Sequence, residues 1–219
     1  MPITIRQAET AEDRQRVFRF RYEIYVEEMQ RPQTYADHAA RTIEEPFDAT
    51  GHLFLAEDDK GQIVGTVRTN FGRDTDFGYY RELYGMEWLG RHYPETVSIT
   101  TKLMIRPELR SGTLAFRICT ETYRYNLRAG ILFDFIDCNP HLEDHFQRLG
   151  YRRYLERIQH PEYGDVLPLV LPATDLEHLE SVGAPWAKDC RELFPHLEAN
   201  RLLHQAVHAY QTQQQAQAA

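Results

Sequence analysis

Between Val97 and Gly150 the chain runs twice through strand, short loop and helix, and this pair of units constrains the fold more than any other stretch. Val97 to Ile105 reads as a strand that Pro107 ends, and Arg110-Ser111-Gly112-Thr113 opens a long helix through Arg128. Gly130 is a good terminator for that helix. Ile131 to Asp137 is an apolar strand with alternating acids. Asn139-Pro140 then supplies an N-cap and a proline at the first helical position, for a helix that should stop at Gly150. Two such units need a sheet for their helices to fold back on, which makes this an α/β layer architecture with a mixed central sheet and helices on both faces.

The rest of the chain extends that sheet. Ile3 to Arg6 reads as a short strand, and Thr10 as the N-cap of a helix, with Asp13 completing an acidic capping box. Val17, Phe20 and Ile24 form one stripe of that helix, Phe18, Tyr22, Tyr25 and Met29 lie beside it, and Pro32 stops it. Residues 31 to 46 read as irregular. His52 to Glu57 and Gln62 to Thr69 form a hairpin around Asp58-Asp59-Lys60-Gly61. Residues 70 to 96 read as loop with a short helix around Leu83 to Leu89, and Tyr151 to Ile158 and Val166 to Leu171 as two last strands. We expect one domain over 1–219: a core over about 3–172, a helical C-terminal extension over about 173–210 split by Pro195, and a frayed Gln/Ala tail over 211–219.

The 219 residues carry a formal net charge of -8, which argues against a general nucleic-acid binder. The charge is uneven. Lys102 to Arg157 holds ten Lys/Arg against seven acids, a local basic excess able to meet an anion. No apolar run approaches the roughly 20 residues of a spanning helix. Three widely spaced cysteines, Cys119, Cys138 and Cys190, and an N-terminus without a long apolar core lead us to expect a cytoplasmic protein.

The first site candidate is the strand-to-helix turn from Arg106 to Leu114. Unpaired N–H groups and the helix dipole favour a phosphate there, Gly112 permits close approach, and Arg106 and Arg110 add charge-assisted contacts. An ordinary capped helix start is the alternative. His141-Leu142-Glu143-Asp144-His145 has the wrong spacing for a zinc motif, and His204 and His208 read as a solvated helix face, so we expect no metal.

The order of elements and these residues together resemble the GNAT acyltransferase superfamily. Phe54-Leu55-Ala56-Glu57 and Ile63-Val64-Gly65-Thr66-Val67-Arg68 look like its second and third strands. Arg110-Ser111-Gly112-Thr113-Leu114 stands at its pyrophosphate-binding loop, with Leu114 where a second Gly or Ala is usual. Asn139-Pro140 and Phe146 to Tyr151 look like its next motif. The resemblance implies that Met104, Ile105, Arg106, Arg110, Ser111, Gly112, Thr113, Leu114 and Asn139 bind a thioester donor. Phe146 stands where many of these enzymes carry a tyrosine acid, which leaves His145, Tyr151 or a water.

A narrower resemblance concerns Arg19 to Met29, similar to the first helix of long-chain N-acyl amino acid synthases, acyl-homoserine-lactone synthases and ornithine-lipid acyltransferases. Matched residue by residue, it implies an acceptor site of Arg21, Tyr25, Phe47, Asp48 and Arg68, with Thr100 and Lys102 on the catalytic strand. Thr100 replaces the glutamate of the lactone makers and Lys102 an arginine, so lactone closure is not expected. On the residues themselves, Arg21 and Tyr25 share a helix face, and an Arg–Asp network can either pin the helix or grip a substrate carboxylate. The general base stays open among Asp137, Glu45 and Glu44. The expected activity is transfer of a fatty acyl group from an acyl carrier protein or CoA thioester to the amine of an amino acid or similar small acceptor, with no tightly bound cofactor. An acetyl-CoA acetyltransferase and a non-catalytic acyl or CoA sensor are the alternatives.

Overall fold

The computed structural model describes residues 2–193. In chain order its elements are β1 (Thr4–Gln7), α1 (Ala11–Tyr22), β2 (Ala36–Asp37), β3 (Thr42–Ile43), β4 (His52–Glu57), β5 (Ile63–Phe71), α2 (Tyr79–Leu83), β6 (Val97–Ile105) and α3 (Leu114–Arg128). There follow β7 (Phe133–Cys138), α4 (Glu143–Arg148), β8 (Arg152–Arg153), β9 (Ile158–His160), β10 (Gly164–Pro172), α5 (Leu176–Ser181) and α6 (Ala187–Leu193). This is the expected α/β class with a mixed, mostly antiparallel sheet. The helix and tail expected beyond Leu193, including His204 and His208, lie outside the described residues.

The described residues form two compact units, 2–70 with Thr100–Tyr123, and Phe71–Ile99 with 124–193. In the first, β1, β4, β5 and β6 are successive neighbours, with β1–β4 and β4–β5 antiparallel. The hairpin closes as its turn residues dictate: Asp58 N–H donates to the Gln62 carbonyl, and Gly61 takes a left-handed φ of 73°. Gly65 is where α3 lies flat on the sheet, because a Cβ there would come within 2.6 Å of Ile118 Cδ1. Val17, Phe18, Phe20 and Ile24 of the first helix bury against Leu53, Leu55, Ile63 and Met104, so the apolar stripe is a core face.

Three details of this unit depart from the sequence reading. Residues 31 to 46 are not wholly irregular, since β2 and β3 pair within them. Thr10 caps α1 by accepting from Asp13 N–H at 3.0 Å, but the Asp13 carboxylate turns to Arg6 instead of closing a capping box. The helix does not run unchanged to Pro32. After Tyr22 it widens into a π-helix over Glu23–Glu28. Such turns are rare and concentrate at functional sites.

Asp13 belongs to a four-membered ion network. Arg6 reaches Asp13 at 2.6 Å and Glu57 at 2.9 Å, and Arg16 reaches Glu57 at 2.6 Å. The hydrogen bond from Arg6 holds the Asp13 carboxyl down at about 2, against an ordinary 3.8. A depressed carboxyl stabilises the fold above its unfolded pKa, and that stability is lost as pH falls through the folded value. Asp13→Asn should therefore lower the unfolding free energy at pH 6, by roughly 1 kcal/mol or less for a partly exposed network. It should also flatten the stability-versus-pH curve between about pH 4 and 2. An unchanged acid limb in denaturant melts would contradict this.

In the second unit β7 lies between β6, parallel over Val97–Phe133 to Ile99–Phe135, and β10, antiparallel over Leu167–Cys138 to Pro172–Phe133. The parallel pairing ends at Ile99–Phe135. Residues 70 to 96 hold more structure than expected, with α2 and a 3-10 stretch over Met86–His92. Trp88, Phe133, Phe135, Tyr84 and Tyr154 pack as an aromatic cluster on one face of β7.

Candidate active site

The first unit assembles most of the acceptor and strand residues into one buried charge cluster. A 3-10 turn, Pro46–Asp48, starts it. Such a turn places residues three apart on one side. Glu45 and Asp48 thus come together, with Glu45 N–H donating to Asp48 Oδ2 at 2.7 Å. Asn70 holds the turn by donating to the Phe47 carbonyl at 2.8 Å, and Arg14 donates to the Asp48 and Gly51 carbonyls. Gly51 is required for closeness, because a Cβ there would lie 2.8 Å from Arg68 Cδ and 2.9 Å from the Phe47 carbonyl.

Three cations converge on these two carboxylates. Arg21 Nη1 donates to Asp48 Oδ2 at 2.7 Å, with both side chains fully buried. Arg68 Nη1 reaches Glu45 at 2.9 Å and Asp48 Oδ1 at 3.1 Å, and its Nε and Nη2 donate to Thr101 Oγ1 at 3.2 and 3.0 Å. Lys102 Nζ lies 2.5 Å from Glu45 Oε1 and 5.1 Å from the centre of the Tyr25 ring. Lys102 turns inward through a left-handed φ of 57° in mid-strand, a conformation that costs a non-glycine residue about 1–2 kcal/mol. Phe47 lies under the Arg68 guanidinium at 5.5 Å.

Burial alone would push the Glu45 and Asp48 carboxyls up, but the cations prevail. Lys102 and Arg68 hold Glu45 below the ordinary carboxylate range, and Arg21 and Arg68 do the same for Asp48. Both carboxylates are therefore charged at neutral pH and poor proton acceptors, which weakens Glu45 as a general base. The cluster holds three positive and two negative side chains. Arg21 Nε and Nη2 are buried without a hydrogen-bond partner among the described residues. A buried guanidinium with two idle donors is costly, and a carboxylate is the group its fork best donates to.

The expected donor turn is also in this unit. Pro107–Leu109 is a 3-10 turn, and Ser111, Gly112 and Thr113 are exposed just before α3. Met104, Ile105 and Leu114 are buried, so only their backbone is available to a ligand. Arg110 donates from Nε to the Ile105 carbonyl at 2.9 Å and from its two terminal nitrogens to Glu28 at 2.6 and 2.7 Å. Arg106 donates to the Ile63 carbonyl at 3.0 Å and reaches Glu23 at 3.4 Å. A cleft of about 380 Å³ lies beside it, lined by Arg16, Arg19, Phe20, Glu23, Ile63 and Arg106 among others.

His145, Tyr151 and Asn139 belong to the second unit. Tyr151 is buried, and its hydroxyl donates to Asp134 at 2.5 Å, which commits it to the core. His145 is half-buried against Phe146, and burial, with Arg148 beside it, holds its imidazole below the usual histidine value. Asn139 precedes the Pro140 turn without a side-chain cap bond. Asp137 accepts from the Tyr84 hydroxyl at 2.8 Å, and burial beside Asp137 and Glu143 pushes the Cys138 thiol up to about 12, leaving it unreactive. Thr100 is half-buried on β6, and Glu44 is exposed.

Thr101, Arg14, Glu23 and Glu28 were not singled out from sequence, and Glu45 entered only as a candidate base. The available signal was the pair of acids flanking Pro46-Phe47, which a 3-10 turn folds together. Among the described residues no group of three or more His, Cys, Asp or Glu could hold a metal ion, and no helix is long and apolar enough to cross a membrane.

The layered sheet, the exposed turn before α3 and the buried cluster define a GNAT-like N-acyltransferase fold. A family model, N-acyl amino acid synthase FeeM, matches residues 16–175, and the chain belongs to that family of acyltransferases, which acylate an amine. Among solved structures it is similar to a CoA-dependent acyl-homoserine lactone synthase, MesI, with a TM-score of 0.63 and 20% identity over 90% of this chain and 96% of that one. It is also similar to FeeM from uncultured soil microbes, with a TM-score of 0.61 and 16% identity over 83% and 97%. Escherichia coli ElaA matches with a TM-score of 0.56 and 11% identity over 78% and 99%. No curated protein matches it by sequence.

Proposed function

We propose that this acyltransferase moves a fatty acyl group from a thioester donor, an acyl carrier protein or CoA, to the amine of an amino acid in the cytoplasm, and closes no lactone. The observation that carries the acceptor assignment is the buried fork of Arg21. Its two idle donors, in a cluster with one more cation than carboxylates, suit the carboxylate of an amino acid. Asp48 holds that fork by accepting from Arg21 Nη1, Arg68 anchors Asp48 in turn, and the Phe47 and Tyr25 rings lie against Arg68 and Lys102.

The chemistry is direct acyl transfer. The unprotonated amine attacks the thioester carbonyl, the C–N bond forms, and the C–S bond breaks with its electron pair leaving on sulfur. Backbone N–H groups along β6 polarise the carbonyl. The ammonium proton leaves through water, since Glu45 and Asp48 are held ionised. With Tyr151 committed to Asp134, the thiolate takes its proton from water. Thr100 cannot serve as a carboxylate, which removes the group expected to steady a cationic sulfonium acceptor and so disfavours lactone closure.

The donor's phosphate is assigned to the exposed turn Ser111–Thr113 and to Arg110. At Gly112 an added Cβ meets only the Leu109 carbonyl, at 3.4 Å, so Gly112→Val should leave melting unchanged while blocking phosphate approach. A rise of about tenfold in the donor Kd by calorimetry is expected, the scale of one lost charge-assisted contact. Unchanged affinity would remove the turn from the donor site. The activity itself is tested by mass spectrometry of lipids from cells expressing the protein. A new N-acyl amino acid is expected. Acetylated products alone would point to an acetyltransferase, and a lactone would show that Thr100 suffices for closure.

A further inference from the structure

Both arginines of the donor turn are held by acids of one six-residue segment. Arg110 is gripped two-point by Glu28, and Arg106 meets Glu23 inside the cleft beside the turn. Glu23 and Glu28 are the first and last residues of the π-helix. In an α-helix residues five apart point about 140° away from each other. In a π-helix the backbone bond itself joins residues five apart, which brings them onto one face. The widened turn is thus what lets both carboxylates reach the same loop. The same segment carries Tyr25, whose ring lies 5.1 Å from Lys102 Nζ in the buried cluster.

We propose that Glu28, with Glu23, sets the affinity for the thioester donor by competition: its carboxylate occupies the Arg110 guanidinium until the donor's phosphate exchanges for it. This rests on the assignment of the donor phosphate to the Arg110–Thr113 turn. A carboxylate and a phosphate ester present the same paired oxygens to a guanidinium, so one replaces the other without rearranging the fork. The exchange acts only on donors that carry a phosphate. Thioesters without one, such as simple N-acetylcysteamine esters, neither displace Glu28 nor gain from its removal. The pair is partly exposed, with 44% and 30% of the two side chains accessible, so the competition is modest and reversible.

The test uses full-length protein and CoA as the probe, with affinities from calorimetry and initial rates with acyl-CoA and with acyl-N-acetylcysteamine. Removing the competitor in Glu28→Gln should tighten CoA binding about threefold, matching an exposed ion pair. It should lower the KM for acyl-CoA while leaving the acceptor KM and the rate with the phosphate-free thioester unchanged. Glu28→Asp keeps the charge and should behave as wild type. Arg110→Gln should weaken CoA binding. If Arg110→Gln binds CoA as tightly as wild type, the phosphate is held elsewhere and the donor assignment fails. If Arg110→Gln weakens binding but Glu28→Gln weakens it too or leaves it unchanged, the donor assignment survives and the exchange is wrong, because Glu28 then only aligns the arginine.

Discussion

Asp48→Ala is expected to cost roughly 3–5 kcal/mol of folding stability, the range for breaking a fully buried ion pair from one side. The reason lies in what remains. Arg21 loses the carboxylate it donates to, and Arg68 keeps Glu45 as its remaining carboxylate. Glu45 N–H also loses its acceptor, which loosens the 3-10 turn. Asp48→Asn should cost less, because the amide oxygen can still accept from Glu45 N–H. Urea melts at pH 7 decide the matter. A loss below about 1 kcal/mol would mean that water reaches the cluster and screens it as at a surface.

Arg21→Lys should reduce kcat/KM for the amino acid acceptor by about ten- to a hundredfold, the value of a lost hydrogen bond to a charged group. Lysine keeps the charge opposite Asp48 but lacks the planar fork that presents Nε and Nη2. The effect should fall on the acceptor KM and leave the donor KM unchanged. A variant that melts lower yet turns over the acceptor normally would assign Arg21 to pinning the helix, the competing role of this ion network. Steady-state kinetics with each substrate varied separately distinguishes the two outcomes.

The strands were the most legible part of the chain. His52–Glu57 and Val97–Ile105 were bounded as the structure has them, because each is closed by a strong signal: the Asp58–Gly61 turn in one case and Pro107 in the other. The π-helix was not legible. Glu23–Glu28 has no proline or glycine to mark it, and only the backbone bond from Met29 N–H to the Ile24 carbonyl, five residues back, reveals the widened turn. The cluster was half legible. Arg21, Tyr25, Asp48 and Arg68 came from a resemblance, whereas Thr101 and Glu45 joined them through the 3-10 turn at Pro46 and the left-handed backbone at Lys102. Neither conformation has a residue-level signature strong enough to read. For the same reason the idle half of Arg21 was visible only in the folded chain.

The most direct test of the central claim is thiol release from acetyl, octanoyl and palmitoyl thioesters, on CoA and on carrier protein, with amino acids or S-adenosylmethionine offered as acceptor. The expected result is amino-acid-dependent thiol release that is faster with the longer chains, an amide product, and no lactone from S-adenosylmethionine. Transfer of acetyl alone, or thioester binding without turnover, would contradict it.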